Sequence, residues 1–90
     1  MKTKEEIDVL IKRLIKDIEI IFPKYKANVE YCDTLMNCKD MIKIILVGPI
    51  QWFSALPVEE LIESYDTIFS IWLRGAKYEI SSGEKLKGVM

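Results

Sequence analysis

Histidine is absent from this 90-residue chain, and arginine occurs only as Arg13 and Arg74. The missing imidazole removes the commonest acid/base group near neutral pH and the commonest transition-metal ligand. The two cysteines, Cys32 and Cys38, match neither a zinc-ligand spacing nor a Cys-x-x-Cys redox motif. We therefore expect no metal site, no cofactor and no enzymatic activity.

An excess of one charge is also lacking, since 13 basic side chains face 14 acidic ones and the net charge is −1. The small basic group Lys12, Arg13 and Lys16 is interrupted by Asp8 and Asp17. Nucleic-acid binding that relies on phosphate contacts needs a net basic face. The composition therefore predicts no nucleic-acid partner.

No hydrophobic run is long enough to cross a bilayer. The uncharged stretch 44–58 is shorter than a spanning helix and contains Pro49 and Pro57. The first residues include Lys2, Lys4 and Glu5, where a secretory signal would need an apolar segment. We expect a cytoplasmic protein without a membrane partner, and two unpaired cysteines fit such a reducing compartment.

Helical periodicity is strongest at the N-terminus. Thr3 and Glu6 form a capping-box pattern, after which apolar residues recur every three or four positions until Pro23 interrupts the pattern. This predicts a first helix over about residues 4–22.

The segment 25–47 fits two periodicities. Strict alternation of Tyr25, Ala27, Val29 and Tyr31 with polar residues is typical of a half-buried strand. A helical stripe fits more of the segment, and a glycine and a proline follow it as at a helix C-terminus. We favour one helix over 25–47; the alternative is two strands, at 25–32 and 41–47.

A third helix is predicted over 55–75, from a cap at Ser54 to a stop at Gly75, with residues 77–90 as a flexible or loosely packed tail. The expected fold is all-α, an antiparallel three-helix bundle forming a single domain over 1–76. The α+β fold with a small sheet remains the alternative.

More large apolar residues are present than a thin bundle can hide. Several point away from the predicted helical stripes or lie in a connection, which predicts a homo-oligomer, most simply a two-fold dimer. The predicted interface residues are Val9, Ile20, Ile44, Trp52, Phe53 and Ile71.

Two classes of function fit these features. The first is a small protein-interaction module, such as a regulator, inhibitor, adaptor or assembly factor, and its size and lysine- and isoleucine-rich composition fit a phage or mobile-element origin. The second is a binding protein for a small ligand such as a nucleotide, with a pocket between helices or subunits lined by Tyr25, Tyr31 and Trp72. The acidic group Glu59, Glu60 and Glu63 is interpreted as a solvated helix start.

The composition generates a first prediction. The purified protein should contain no stoichiometric transition metal and should show no salt-sensitive binding to DNA or RNA at physiological ionic strength. Elemental analysis and a fluorescence-anisotropy titration measure both properties. Stoichiometric zinc, or submicromolar affinity for a duplex, would contradict the prediction.

Overall fold

The computed structural model describes residues 3–89. The first helix, α1, spans Lys4–Ile21 and begins at the predicted capping box. The Thr3 hydroxyl accepts a hydrogen bond from the Glu6 N–H at 3.1 Å, and the Thr3 N–H donates to the Glu6 carboxylate at 3.0 Å. Both bonds satisfy backbone donors that would otherwise be unpaired at the start of a helix. The start of α1 is therefore determined by neighbouring residues.

Residues 26–47 form a β-hairpin and not a helix. Strand β1 (Lys26–Leu35) pairs antiparallel with β2 (Cys38–Val47). Met36 and Asn37 connect them with φ angles of 51° and 69°, the two successive left-handed residues of a type I′ turn. The prediction of an all-α, three-helix bundle is therefore wrong, and the α+β alternative with strands near 25–32 and 41–47 fits.

The reason for this error lies in cross-strand pairing. The hairpin places Ala27 opposite Leu46 and Val29 opposite Ile44, so both strands contribute apolar side chains to one face. A single helix would bury only its own stripe, whereas the hairpin also provides the central strand of a sheet. Met36 and Asn37 lack the glycine that usually marks such a turn, so the local sequence gives little sign of it.

The C-terminal half also differs from its predicted organisation. Strand β3 spans Gln51–Pro57, and two helices follow it, α2 (Val58–Glu63) and α3 (Tyr65–Val89), in place of one helix over 55–75. No described glycine has a positive φ, so α3 continues through Gly75. Residues 77–89, predicted as a loose tail, are therefore helical, and Ile80 within them is buried. No helix within residues 3–89 has both the length and the apolar character that crossing a membrane requires.

The three strands form an antiparallel sheet in the order β1-β2-β3, and the helices pack on one of its faces. We call this covered face the inner face. It carries Ala27, Val29, Tyr31, Ile42, Ile44, Leu46, Trp52, Ser54 and Leu56. The side chains of β2 on this face are fully buried against the α1 stripe of Leu10, Leu14 and Ile18 and against α3.

A line of aromatic rings attaches α3 to β3. The rings of Tyr65 and Phe69 stack with centroids 5.5 Å apart, Phe69 stacks on Trp72 at 5.5 Å, and Trp72 contacts Trp52 at 5.7 Å. The Trp72 indole N–H donates to the Ser54 hydroxyl at 3.1 Å. Ring packing and this hydrogen bond together fix the position of α3 over the sheet.

The inner face generates a second prediction. Ile44→Ala should lower the free energy of unfolding by about 2–5 kcal/mol, because it leaves a cavity in a closely packed core. Ile71→Ala is the matched control and should change stability by about 0.5 kcal/mol or less, since Ile71 is 61% exposed. Urea unfolding followed by circular dichroism measures both. Equal losses for the two variants would contradict the placement of Ile44 in the core.

Candidate interaction surface

The sheet has a second face that no described element covers. Side chains along a strand point alternately to the two faces, so each inner-face residue is flanked by residues of what we call the outer face. The outer face carries Lys26, Asn28, Glu30 and Cys32 from β1, Met41, Lys43, Ile45 and Val47 from β2, and Gln51, Phe53, Ala55 and Pro57 from β3.

Apolar side chains are concentrated on the β2–β3 half of the outer face. Phe53 is 48% exposed and Val47 is 46% exposed, while Ile45 and Met41 are half-buried. Ile45 lies directly opposite Phe53 in the register, so these two side chains form the centre of the apolar area. The half contributed by β1 is polar.

One ion pair crosses the outer face. The Lys43 ammonium lies 2.5 Å from the Glu30 carboxylate, and the two residues are directly opposite each other in β1 and β2. The hydrogen bond and the negative charge of Glu30 raise the pKa of Lys43 above its ordinary value. A second cation of the outer face, Lys26, lies at the N-terminal end of β1.

The structure distributes the six predicted interface residues over several places. Ile44 is fully buried on the inner face, because a strand turns it toward the core where a helix would have turned it outward. Trp52 is half-buried against Trp72 and donates its indole N–H to Glu79 at 3.3 Å. Phe53 lies on the outer face. The remaining three, Val9, Ile20 and Ile71, are exposed on helices.

Sequence reasoning missed Met41, Ile45 and Val47 as surface residues. The run from Met41 to Val47 is almost continuously apolar, so alternation is hidden in it. The positions of Lys39 and Lys43 could have revealed the exposed side of β2. Met41, Ile45 and Val47 are separated from these lysines by even numbers of residues, so an extended strand places them on the same side.

The proposed ligand aromatics do not line one cavity. The Tyr25 hydroxyl donates to Glu84 at 2.6 Å, the Tyr31 hydroxyl donates to Asp40, and Trp72 is bonded to Ser54. Each therefore has an internal partner on a different part of the fold.

An open groove of about 430 Å³ lies between the N-terminal half of α1 and the junction of α2 with α3. Its walls include Val9, Ile62 and Tyr65, and the Arg13 guanidinium lies 3.6 Å from the centroid of the Tyr65 ring. Arg13 also bonds to Asp66 at 3.3 Å. The positive charge in this groove is therefore already balanced by an acidic neighbour.

The acidic and sulfur-containing side chains do not assemble. Glu59, Glu60 and Glu63 are exposed on α2, and residues 3–89 contain no group of three side chains able to hold a metal ion. Cys32 lies opposite Met41, and Cys38 lies opposite Leu35, so the hairpin keeps the two thiols in different rows.

Comparisons with protein-family models, with curated proteins and with solved structures find no match for this chain. The fold and the outer face nevertheless define a structural class: a two-layer α+β domain with helices on one sheet face and an apolar area on the other.

Two buried tyrosines hold the ends of α3, and they generate a third prediction. Tyr65 bonds to Asp17 of α1 at 2.8 Å, and burial raises its pKa. Burial and the bond to Glu84 raise the pKa of Tyr25 from 10.0 to about 12. A raised pKa in the folded state stabilises the protein below pH 10.0 and this contribution is lost as the pH rises toward 12.

Tyr25→Phe should therefore lower the free energy of unfolding by about 1 kcal/mol at pH 7, through loss of one hydrogen bond. The difference from the wild type should shrink as the pH rises from 10.0 to about 12. Tyr78→Phe is the control, since Tyr78 is exposed, and should match the wild type throughout. Urea unfolding at several pH values gives the comparison, and a constant difference would refute the prediction.

Proposed function

We propose that this chain is a small protein-interaction module and that the outer face of its sheet is the binding surface. The observation that carries the proposal is the position of Phe53, Ile45 and Val47 on a sheet face that no described helix covers. Antiparallel sheets commonly expose one face to water, but that face is then predominantly polar. Here Ile45 and Phe53, which are paired at the centre of the exposed apolar area, are both apolar.

The chemistry of the outer face supports this proposal. Interfaces commonly have an apolar, aromatic centre and a polar margin, and large exposed apolar areas on soluble domains mark binding sites. Phe53 supplies an aromatic side chain at the centre, while Lys26 and Glu30 lie at the margin. A partner that covered Phe53 and Val47 would remove from water two side chains that are each about half exposed.

The proposal assigns no catalytic step and no cofactor to the chain. It rests on the absence of histidine and on the exposure of the clustered glutamates Glu59, Glu60 and Glu63 on α2. We place the protein in the cytoplasm because both thiols are free and Cys38 is exposed, which suits a reducing compartment.

Small-ligand binding is the second candidate. The groove between α1 and α3 supports it, because its volume of about 430 Å³ falls within the usual range for ligand pockets and Tyr65 offers a ring for stacking. The pairing of Arg13 with Asp66 makes it the weaker candidate, since an anionic ligand would have to displace a carboxylate. A thermal shift with nucleotides that Ile62→Asp abolishes and Phe53→Asp preserves would favour this function.

The proposed function generates a fourth prediction. Wild-type protein immobilised on a resin should retain specific proteins from an extract of its host cells, and Phe53→Asp should lose them, because an unpaired carboxylate is costly in an apolar interface. Ile71→Asp is the matched control, since Ile71 is 61% exposed on a helix, and it should retain the same proteins. Quantitative mass spectrometry compares the three samples.

Two outcomes would overturn the assignment of this surface. Retention of the same proteins by Phe53→Asp and the wild type would show that the outer face does not bind them. Loss with Ile71→Asp alone would move the binding surface to the exposed side of α3. Circular dichroism confirms beforehand that each variant is folded.

A further inference from the structure

We propose that the partner covering the outer face is a second copy of this chain, packed face to face about a two-fold axis that crosses the strands at Asn28, Ile45 and Phe53. This inference rests on the proposed function, because it names the occupant of the same surface. Its support comes from the distribution of charge on the outer face, and the area of that face determines the strength of association that we expect.

The outer face consists of four rows that run across the strands. The register aligns Lys26, Val47 and Gln51 in the first row and Asn28, Ile45 and Phe53 in the second. Glu30, Lys43 and Ala55 form the third row, and Cys32, Met41 and Pro57 form the fourth. The second row therefore has a charged row on either side of it and no charge of its own.

The asymmetry between β1 and β3 selects the direction of the axis. Two sheets packed face to face keep their strands roughly aligned, so a two-fold axis runs either along the strands or across them. An axis along the strands would lay the charged β1 of one copy over Phe53 of the other. An axis across the strands lays each strand over its own copy, so β1 meets β1, and the residues of the row on the axis meet their own copies.

Charge complementarity selects the row. An axis through the second row brings Lys26 of each copy over Glu30 of the other, so two pairs of opposite charges form by symmetry. An axis through the first row would superpose the two Lys26 side chains, and one through the third would superpose the two Glu30 side chains. An axis through the fourth row would bring Lys43 of one copy over Lys39 of the other, which again places like charges together.

The second row also provides an uncharged centre. Phe53 and Ile45 of the two copies meet at the axis, and the residues that contribute most to binding commonly cluster near the centre of an interface. Glu30 is already bonded to Lys43 of its own chain at 2.5 Å, so Lys26 of the other copy would complete a three-membered network with two cations on each carboxylate. Such a network at the margin fixes the register of the two sheets.

Edge-to-edge pairing fits the structure less well. The edge-facing N–H of Ala27 in β1 donates to the Glu19 carboxylate at 2.9 Å, so α1 already occupies one of the donors that an added strand would need. At the other edge, β3 ends in Pro57, which has no N–H. Both edges are therefore partly closed to a further strand, whereas the face is open.

The size of the face predicts the strength of the dimer. The outer-face segments 26–32, 41–47 and 51–57 are each about seven residues long and lie about 4.8 Å apart, so the footprint is on the order of 300 Å² per copy. Stable interfaces bury about 800 Å² per partner. We therefore expect a dimer that dissociates in the micromolar range.

The first test is the molar mass of the purified protein, measured by sedimentation at concentrations from about 1 to 500 μM, which brackets the dissociation constant expected for so small a face. The wild type should change from monomer to dimer within this range. Phe53→Asp should weaken dimerisation by at least about tenfold, and Lys26→Glu should weaken it by a smaller factor that diminishes at high salt. Ile71→Asp should dimerise like the wild type.

The second test fixes the axis and does not depend on a disruptive substitution. Asn28→Cys is introduced into a chain carrying Cys32→Ser and Cys38→Ser, and a short bismaleimide reagent is added. The two cysteines at position 28 lie near the axis, so cross-linked dimers should form in high yield. Ser70→Cys in the same background, exposed on α3, should remain monomeric.

The outcomes separate this inference from the proposed function. A wild type that stays monomeric at the highest concentration, or cross-linking through Ser70→Cys and not through Asn28→Cys, overturns the second copy as the occupant. Retention of extract proteins that depends on Phe53 would then still support the proposed function with a different partner. A dimer that Ile71→Asp dissociates and Phe53→Asp preserves overturns this inference, and it overturns the proposed function as well when the retention of extract proteins is also independent of Phe53.

Discussion

The structure depends on the burial of one sheet face beneath α1 and α3. Three strands form only a narrow sheet. Such a sheet with one covered face is stable when each strand directs the more apolar of its two alternating sets of side chains toward the helices. Ile42, Ile44 and Leu46 of the central strand do this, and they are fully buried. Burial of these three side chains accounts for the hairpin and for the position of both long helices. It also accounts for the exposure of the opposite face.

The helices are fixed to that face by polar contacts at their ends as well as by apolar packing. Tyr65 joins the start of α3 to Asp17 of α1, and Tyr25 joins Glu84, near the other end of α3, to the start of β1. Trp72 joins the middle of α3 to Ser54 of β3. These bonds connect segments far apart in sequence, so the neutral tyrosine hydroxyls hold the two layers in one arrangement.

The outer face follows from the same alternation. Because Ile44 and Leu46 point inward, Ile45 and Val47 must point outward, and β2 has too few polar residues to make its second face hydrophilic. An apolar central strand in so thin a sheet therefore leaves an exposed apolar area unless another molecule covers it. The chain carries its charges at rows beside this area, which is the arrangement that a symmetric partner can match.

Helix α1 could be predicted from the sequence, because the Thr3 and Glu6 capping box and the apolar stripe are local signals that need no distant partner. The sequence also identified Phe53 as a surplus apolar residue, and the structure places that residue on the outer face.

Tertiary contacts determine that residues 26–47 form strands. Their local pattern is compatible with a hairpin but fits a helix better, and pairing with β3 and burial beneath two helices favour the hairpin. That choice moved Ile44 into the core and Ile45 onto the surface. The exposed side of a strand is set by which residues its neighbours bury, and those neighbours are distant in the chain.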